Sequence, residues 1–217
     1  LSSLVGDTNK YRIESMKVVG NLNGTDIRFI RDMAGRSYSS GVSTNGILKE
    51  LDLSDANIVE GGDYYYYTST KKYYTENNVI GDYMFEYCKL TSIVLPSNVT
   101  SIGARAFSDC DYLSGVSIPN TVQVIGIGAF SSCNILTRIT VPNSVTLIKS
   151  GAFNYCFNLS NITLSNNLET IEGGNFDGSS IKNIVIPNSV TTIGNAVLAR
   201  SKELESVTIS ENIKEIG

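Results

Sequence analysis

The chain has 217 residues, 41% hydrophobic and 18% charged, which supplies a packed core and excludes intrinsic disorder. Its 17 basic and 21 acidic residues leave a net charge of -4, which gives no electrostatic grip on nucleic acid. There is no histidine, so Ser-His-Asp and Cys-His nucleophiles, His-ligated zinc and imidazole pH sensing are all excluded.

In chain order, the first apolar pattern is Ile13-x-x-Met16-x-Val18, which predicts a short strand with one buried face. Residues 24–35 follow, with Thr25 or Asp26 as N-cap, apolar Ile27, Phe29, Ile30, Met33 and Ala34, and a terminal Gly35; they predict an amphipathic helix. Leu48-x-x-Leu51-x-Leu53 repeats the strand pattern. Next, Tyr64, Tyr65, Tyr66, Tyr67, Tyr73 and Tyr74 place six of the twelve tyrosines within eleven residues, beside Lys71 and Lys72. Tyrosine combines a large contact area with a polar tip and suits protein or sugar recognition. The alternative is a strand whose alternate tyrosines pack on the N-terminal coils and leave the others exposed. The longest uncharged run, 112–137, is broken by Pro119, Asn120, Gln123 and Asn134, so no membrane span is predicted. The chain begins at Leu1 without a basic and apolar leader, and any targeting signal is expected to have been cleaved or to lie outside it.

From Ile80 onward one pattern recurs, with anchor isoleucines at Ile80, Ile102, Ile125, Ile148, Ile171, Ile193 and Ile216 and steps of 22, 23, 23, 23, 22 and 23 residues. Each unit carries a short strand such as Leu90-x-x-Ile93-x-Leu95 or Leu136-x-x-Ile139-x-Val141. A unit this small cannot bury its own apolar face, but stacked copies bury each other's. The prediction is a solenoid whose strands form a parallel ladder along one side, joined by right-handed connections. Pro96, Pro119, Pro142 and Pro187 share the slot after the strand, where a missing N–H ends the ladder. Cys88, Cys110, Cys133 and Cys156 share a second slot, and Phe85, Phe107, Phe130, Phe153 and Phe176 a third. The cysteines read as a column of unpaired core thiols, with bridges between adjacent coils as the alternative. They contain no C-x-x-C pair, and no metal or cofactor is expected. Gly126-Ile127-Gly128 lacks the third glycine of a dinucleotide loop, and the carboxylate pairs Asp109 with Asp111 and Glu169 with Glu172 read as solvated unit edges; no catalytic residue is assigned.

Units such as Ile102-Gly103, Ala106-Phe107, Cys110, Leu113 and Ile118-Pro119 closely resemble the BspA-like leucine-rich repeats, also called the Treponema pallidum type. The resemblance is strong over 80–217 and looser upstream; Ser165 and Ser210 in the proline slot and Leu198 in the phenylalanine slot depart from it. It implies an α/β, β-rich, right-handed leucine-rich-repeat solenoid with a short N-terminal capping helix. The expected organisation is 1–79 as an N-terminal cap with irregular repeats and the tyrosine-rich insertion, continuous with six regular repeats over 80–217. The resemblance also implies a bacterial protein, secreted or held at the cell surface, where a lipid anchor would lie in a missing N-terminal segment. Its implied role is adhesion to a protein or glycan of the host or of other bacteria. A carbohydrate-active enzyme or a passive spacer on the same scaffold are the alternatives.

The outward positions of the repeated strands form two columns. One reads Lys17, Asp52, Val94, Ser117, Thr140, Thr163, Val185 and Thr208, the other Ser15, Glu50, Ser92, Gly115, Arg138, Asn161, Asn183 and Ser206. They carry no aromatic anchor and predict broad, weak contact at best. The candidate binding residues are therefore the six tyrosines of the insertion together with Arg138, Thr140, Asn161 and Thr163. Ile216-Gly217 opens another unit, so the parent chain is expected to continue.

Overall fold

The computed structural model describes residues 1–39 and 42–217. The N-terminal region contains α1 (Ser2–Val5), β1 (Ser15–Leu22), α2 (Gly24–Met33), β2 (Glu50–Ile58) and a hairpin of β3 (Tyr66–Tyr67) and β4 (Lys72–Tyr73). Six later coils each add a two-residue strand and then a three-residue strand, and a last two-residue strand follows them. The two-residue strands β5 (Val79–Ile80), β7 (Ser101–Ile102), β9 (Val124–Ile125), β11 (Leu147–Ile148), β13 (Thr170–Ile171), β15 (Thr192–Ile193) and β17 (Glu215–Ile216) pair in parallel as one seven-stranded ladder. The three-residue strands are β6 (Ser92–Val94), β8 (Gly115–Ser117), β10 (Arg138–Thr140), β12 (Asn161–Thr163), β14 (Asn183–Val185) and β16 (Ser206–Thr208). They form the expected ladder in three pieces, β1-β2-β6-β8, β10-β12 and β14-β16. The ladder of anchor isoleucines was not anticipated, because two-residue strands are too short to show a period in the sequence.

A third line of backbone hydrogen bonds follows the phenylalanine slot: Phe85, Phe107 and Phe130 N–H groups each donate at 2.7 Å to Ala106, Ala129 and Ala152 of the next coil. Two residues per coil flank this line in the left-handed region, at the slots of Tyr83, Arg105, Gly128, Gly151, Gly174 and Ala196 and of Tyr87, Asp109, Ser132, Tyr155, Gly178 and Arg200. These turns bend each coil around the core. At the opposite corner the proline carbonyls of Pro96, Pro119, Pro142 and Pro187 accept from the N–H three residues on. Where serine replaces proline, the hydroxyls of Ser165 and Ser210 accept from Asn167 and Asn212 N–H, so a side-chain turn stands in for the fixed ring.

One contiguous apolar core runs from Val18 to Val197. Its axis is a stack of rings: centroids lie 5.5 Å apart for Phe85–Phe107, 5.1 Å for Phe107–Phe130, 5.4 Å for Phe130–Phe153 and 5.9 Å for Phe153–Phe176. The four cysteines are buried free thiols. Three of them hydrogen-bond along the stack, Cys110 to the Phe85 carbonyl, Cys133 to Phe107 and Cys156 to Phe130, at 3.1, 3.2 and 3.1 Å. Ser201 makes the same bond to Phe176 at 3.0 Å, which is why serine fills the cysteine slot in the last coil. Burial pushes all four thiols up, Cys156 to about 12. The native protein should therefore leave a disulfide-exchange reagent such as DTNB unconsumed at pH 8, and four thiols should react once it is unfolded in guanidinium. Rapid reaction of any thiol in the native state would contradict this burial.

The helix expected at residues 24–35 is α2, with one correction. Its N-cap is Asn23, whose Oδ1 accepts from Thr25 and Asp26 N–H while Asp26 returns a bond to Asn23 N–H. Asn23, two residues before Thr25, completes with Asp26 a reciprocal box that neither Thr25 nor Asp26 can close as N-cap at its own position. Arg31, a polar position in the pattern, is 1% exposed. Its guanidinium donates to the carbonyls of Tyr83 and Met84 at 2.8 Å, Ser37 at 3.2 Å and Glu86 at 3.4 Å, and so ties the helix to the first regular coil.

Candidate binding surface

The tyrosine-rich insertion is the β3–β4 hairpin, with Tyr66 opposite Tyr73 and Tyr67 opposite Lys72. It sits over α2 and the first regular coil. Tyr65 and Tyr66, taken from sequence as binding candidates, are both buried, and this is a correction. The Tyr65 hydroxyl donates to the Asp82 carbonyl at 2.7 Å, and the Tyr66 hydroxyl donates to Glu86 Oε2 at 2.7 Å. Tyr66 also stacks on Tyr83 at 5.3 Å and lies 4.8 Å from the Arg31 guanidinium. These two rings fasten the hairpin to the solenoid and have no surface to offer a ligand. Burial of adjacent residues also differs from the alternation that a strand lying on one face would show.

Four other tyrosines form an outward cluster, with Tyr67 and Tyr74 exposed and Tyr38 and Tyr64 half-buried. Tyr38, Tyr64 and Tyr67 make a triangle with centroids 5.8 to 5.9 Å apart, and Tyr74 lies 6.3 Å from Tyr64. Arg28 stands 3.4 Å over the Tyr38 ring and is held by Asp63 at 3.2 Å, while Lys72 Nζ lies 4.5 Å over Tyr64. Tyr67 is 37% and Tyr74 52% exposed. Tyr73 is half-buried against Tyr83, 5.0 Å away. Beside Tyr38 and Arg28 opens a cleft of about 320 Å³ lined by Lys10, Phe29 and Asp32. The Lys10–Asp32 hydrogen bond, 2.8 Å long, holds Lys10 well above the usual lysine pKa. Rings packed edge to face around Tyr64, with hydroxyl tips and with Arg28 and Lys72 standing over two of them, make an aromatic cluster with a polar rim. Sequence reading missed Arg28 and Tyr38, because the helix and the loop after it carry no signal of where the hairpin will lie.

Arg138, Thr140, Asn161 and Thr163 are exposed and in register, Arg138 opposite Asn161 and Thr140 opposite Thr163. They lie on β10 and β12, separated from the hairpin by the coils of β6 and β8, so the two groups of candidates are distinct surfaces. The acidic pairs are engaged locally: Asp109 accepts from Arg105 and Ser108, Asp111 from Asn134, and Glu172 from Ser150. Among the described residues no cluster of three cysteine, aspartate or glutamate side chains is placed to hold a metal, and no helix is long and apolar enough to cross a membrane.

Stacked coils of 22 or 23 residues, each with a short parallel strand and a shared ring column, define a leucine-rich-repeat solenoid. The chain belongs to the BspA type leucine rich repeat family, whose repeat matches in six copies over residues 78–205. A search of curated proteins gave no match. Among solved structures, a leucine-rich repeat protein from Bacteroides ovatus is 23% identical with a TM-score of 0.61, over 83% of this chain and 55% of that one. The Treponema pallidum leucine rich repeat protein is 31% identical with a TM-score of 0.57, over 64% of this chain and 73% of its own. A leucine rich cell surface protein from Faecalibacterium prausnitzii is 31% identical with a TM-score of 0.48, over 67% of this chain and 46% of that one. This chain thus spans little more than half the length of the Bacteroides protein.

Proposed function

We propose that the chain is a non-catalytic binding module of a bacterial secreted or cell-surface protein, and that it recognises a protein or glycan through its N-terminal tyrosine cluster. The observation that carries this reading is the outward cluster of Tyr38, Tyr64, Tyr67 and Tyr74 around Arg28 and Lys72. Rings already held by neighbours lose little freedom when a partner covers their exposed edges, and aromatic and arginine anchors dominate tight interfaces. Membership of a repeat family built for extended contact supports the same reading. The strand-face residues Arg138, Thr140, Asn161 and Thr163 form a separate surface that adds weak contact at most.

The test is binding of the purified protein to arrays of host matrix proteins and glycans, repeated with Tyr64, Tyr67 and Tyr74 changed to serine. The variant should bind at least about tenfold more weakly at unchanged circular dichroism, since truncated anchors of this kind cost that much or more. Changing Arg138 and Asn161 to alanine should weaken binding by no more than about threefold. Equal binding by the tyrosine variant, or no binding to any array member, would overturn the proposal and favour a spacer.

A further inference from the structure

A second site arises where one coil is a residue short. From the core ring to the next strand's leading apolar residue the count is six residues in most coils, as from Phe153 to Leu159 and from Leu198 to Leu204. It is five from Phe176 to Ile181, and the left-handed slot of that coil holds Gly178 between Tyr155 and Arg200 of its neighbours. The Phe157 ring rests on Gly178, 3.2 Å from where a Cβ would stand, and beside it opens a notch of about 380 Å³, at the small end of the roughly 300–1,000 Å³ typical of ligand pockets. Tyr155 and Phe157 line one wall, Gly178 lies in the gap, and Arg200, Lys202 and Glu203 line the other side. Phe157 is 54% exposed, although it lies within 6.1 Å of Tyr155.

The same shortening occurs once more, between Phe85 and Leu90, and there the chain fills it. Lys89 N–H donates to the Ala34 carbonyl at 2.9 Å and Arg36 Nε donates to the Tyr87 carbonyl at 3.0 Å. A main-chain segment thus sits in that gap through the backbone N–H of Lys89. In the second gap the equivalent N–H, that of Ser180, is already bonded to the Leu159 carbonyl at 3.1 Å. The anchor that seats a peptide in the first gap is therefore absent from the second.

What the second gap offers instead is the exposed Phe157 ring, beside a Tyr155 ring over which Arg200 stands at 5.1 Å, and side-chain hydrogen-bonding groups of both signs. Arg200 is fixed by Asp177 and by the Tyr155 hydroxyl, 3.0 Å from its Nη2, and its Nη1 has no partner among the described residues. Exposed Lys202 donates, exposed Glu203 accepts, and neither is paired among the described residues. Arg200 and Lys202 against Asp177 and Glu203 sum to zero charge, which favours a neutral ligand over an ion. A neutral pyranose has an apolar C–H face for the Phe157 ring, and hydroxyls that both donate and accept. We propose that this notch binds one neutral pyranose residue of a glycan, independently of the tyrosine cluster.

The test is titration of the ¹⁵N-labelled protein with D-galactose, D-mannose and N-acetyl-D-glucosamine, with D-glucuronic acid and a blocked tetrapeptide as further arms. At least one neutral sugar should give saturable amide shifts at Phe157, Gly178 and Lys202. Phe157→Ala and Glu203→Gln, both at exposed side chains, should each weaken it at least about fivefold with the spectrum otherwise intact, and Tyr64→Ser should leave it unchanged. The proposal is overturned by the absence of such shifts from every neutral sugar, by equal binding to Phe157→Ala, or by binding of the peptide or the uronic acid alone.

Discussion

Phe130→Ala should destabilise the protein by about 3–5 kcal/mol, the range for truncating a fully buried aromatic ring. Phe130 has no exposed surface and stands between Phe107 at 5.1 Å and Phe153 at 5.4 Å, nearly parallel to both. Its loss opens a void at the centre of the stack that a rigid hydrogen-bonded coil cannot collapse to fill, because Phe130 N–H is bonded to Ala152 and its carbonyl to Cys156. Both neighbouring interfaces weaken, and nearest-neighbour coupling is what holds a repeat stack together. Against a total of about 5–15 kcal/mol, the variant should lose much of its unfolding free energy in urea. Phe153→Leu, which copies the Leu198 already present in the last coil, should cost clearly less. A loss below about 1 kcal/mol for Phe130→Ala would show that the rings do not carry the core.

The second large effect is Arg31→Met, for which we expect about 3–5 kcal/mol, since several buried carbonyls each lose a charged donor at about 1–3 kcal/mol apiece. Methionine fills most of the volume but leaves the carbonyls of Met84, Ser37 and Glu86 without their donor in a dry site, and that of Tyr83 with only the Glu86 N–H. Arg31→Lys should not rescue it, since one ammonium cannot match a planar fork that reaches four carbonyls. Hydrogen exchange should locate the damage: amides of α2 and the hairpin should lose protection at least about tenfold, while the coils beyond β9 keep theirs. Uniform loss along the whole chain, or none, would contradict a guanidinium clasp between the N-terminal region and the first regular coil.

The repeated architecture was readable because its determinants recur at fixed slots. The phenylalanine, cysteine and proline columns follow from spacing alone, and the outward columns match the observed register, Ser92 opposite Gly115 and Arg138 opposite Asn161. What the sequence concealed lies where the period fails or where a single residue acts through distant partners. Arg31 counts as polar in any helical pattern, and only the coil of Tyr83 to Glu86 explains its burial. Tyr65 and Tyr66 differ from Tyr64 and Tyr67 solely in which side of the hairpin meets the solenoid, a tertiary fact absent from a run of identical residues. The step of 22 residues from Ile171 to Ile193 was visible, but the notch it opens depends on Gly178 and on whether another segment fills the space.

The stacking of coils in register can be tested most directly by cross-linking on the strand face. Thr140 and Thr163 are paired on β10 and β12, about 5 Å apart as adjacent parallel strands require, whereas Val185 lies a further coil away at roughly 10 Å. Cysteines at 140 and 163 should form an intramolecular disulfide on mild oxidation, read as the loss of two hydrogens by mass, while cysteines at 140 and 185 should not. A bridge between 140 and 185, or failure of the pair at 140 and 163, would mean that the coils do not pile as described.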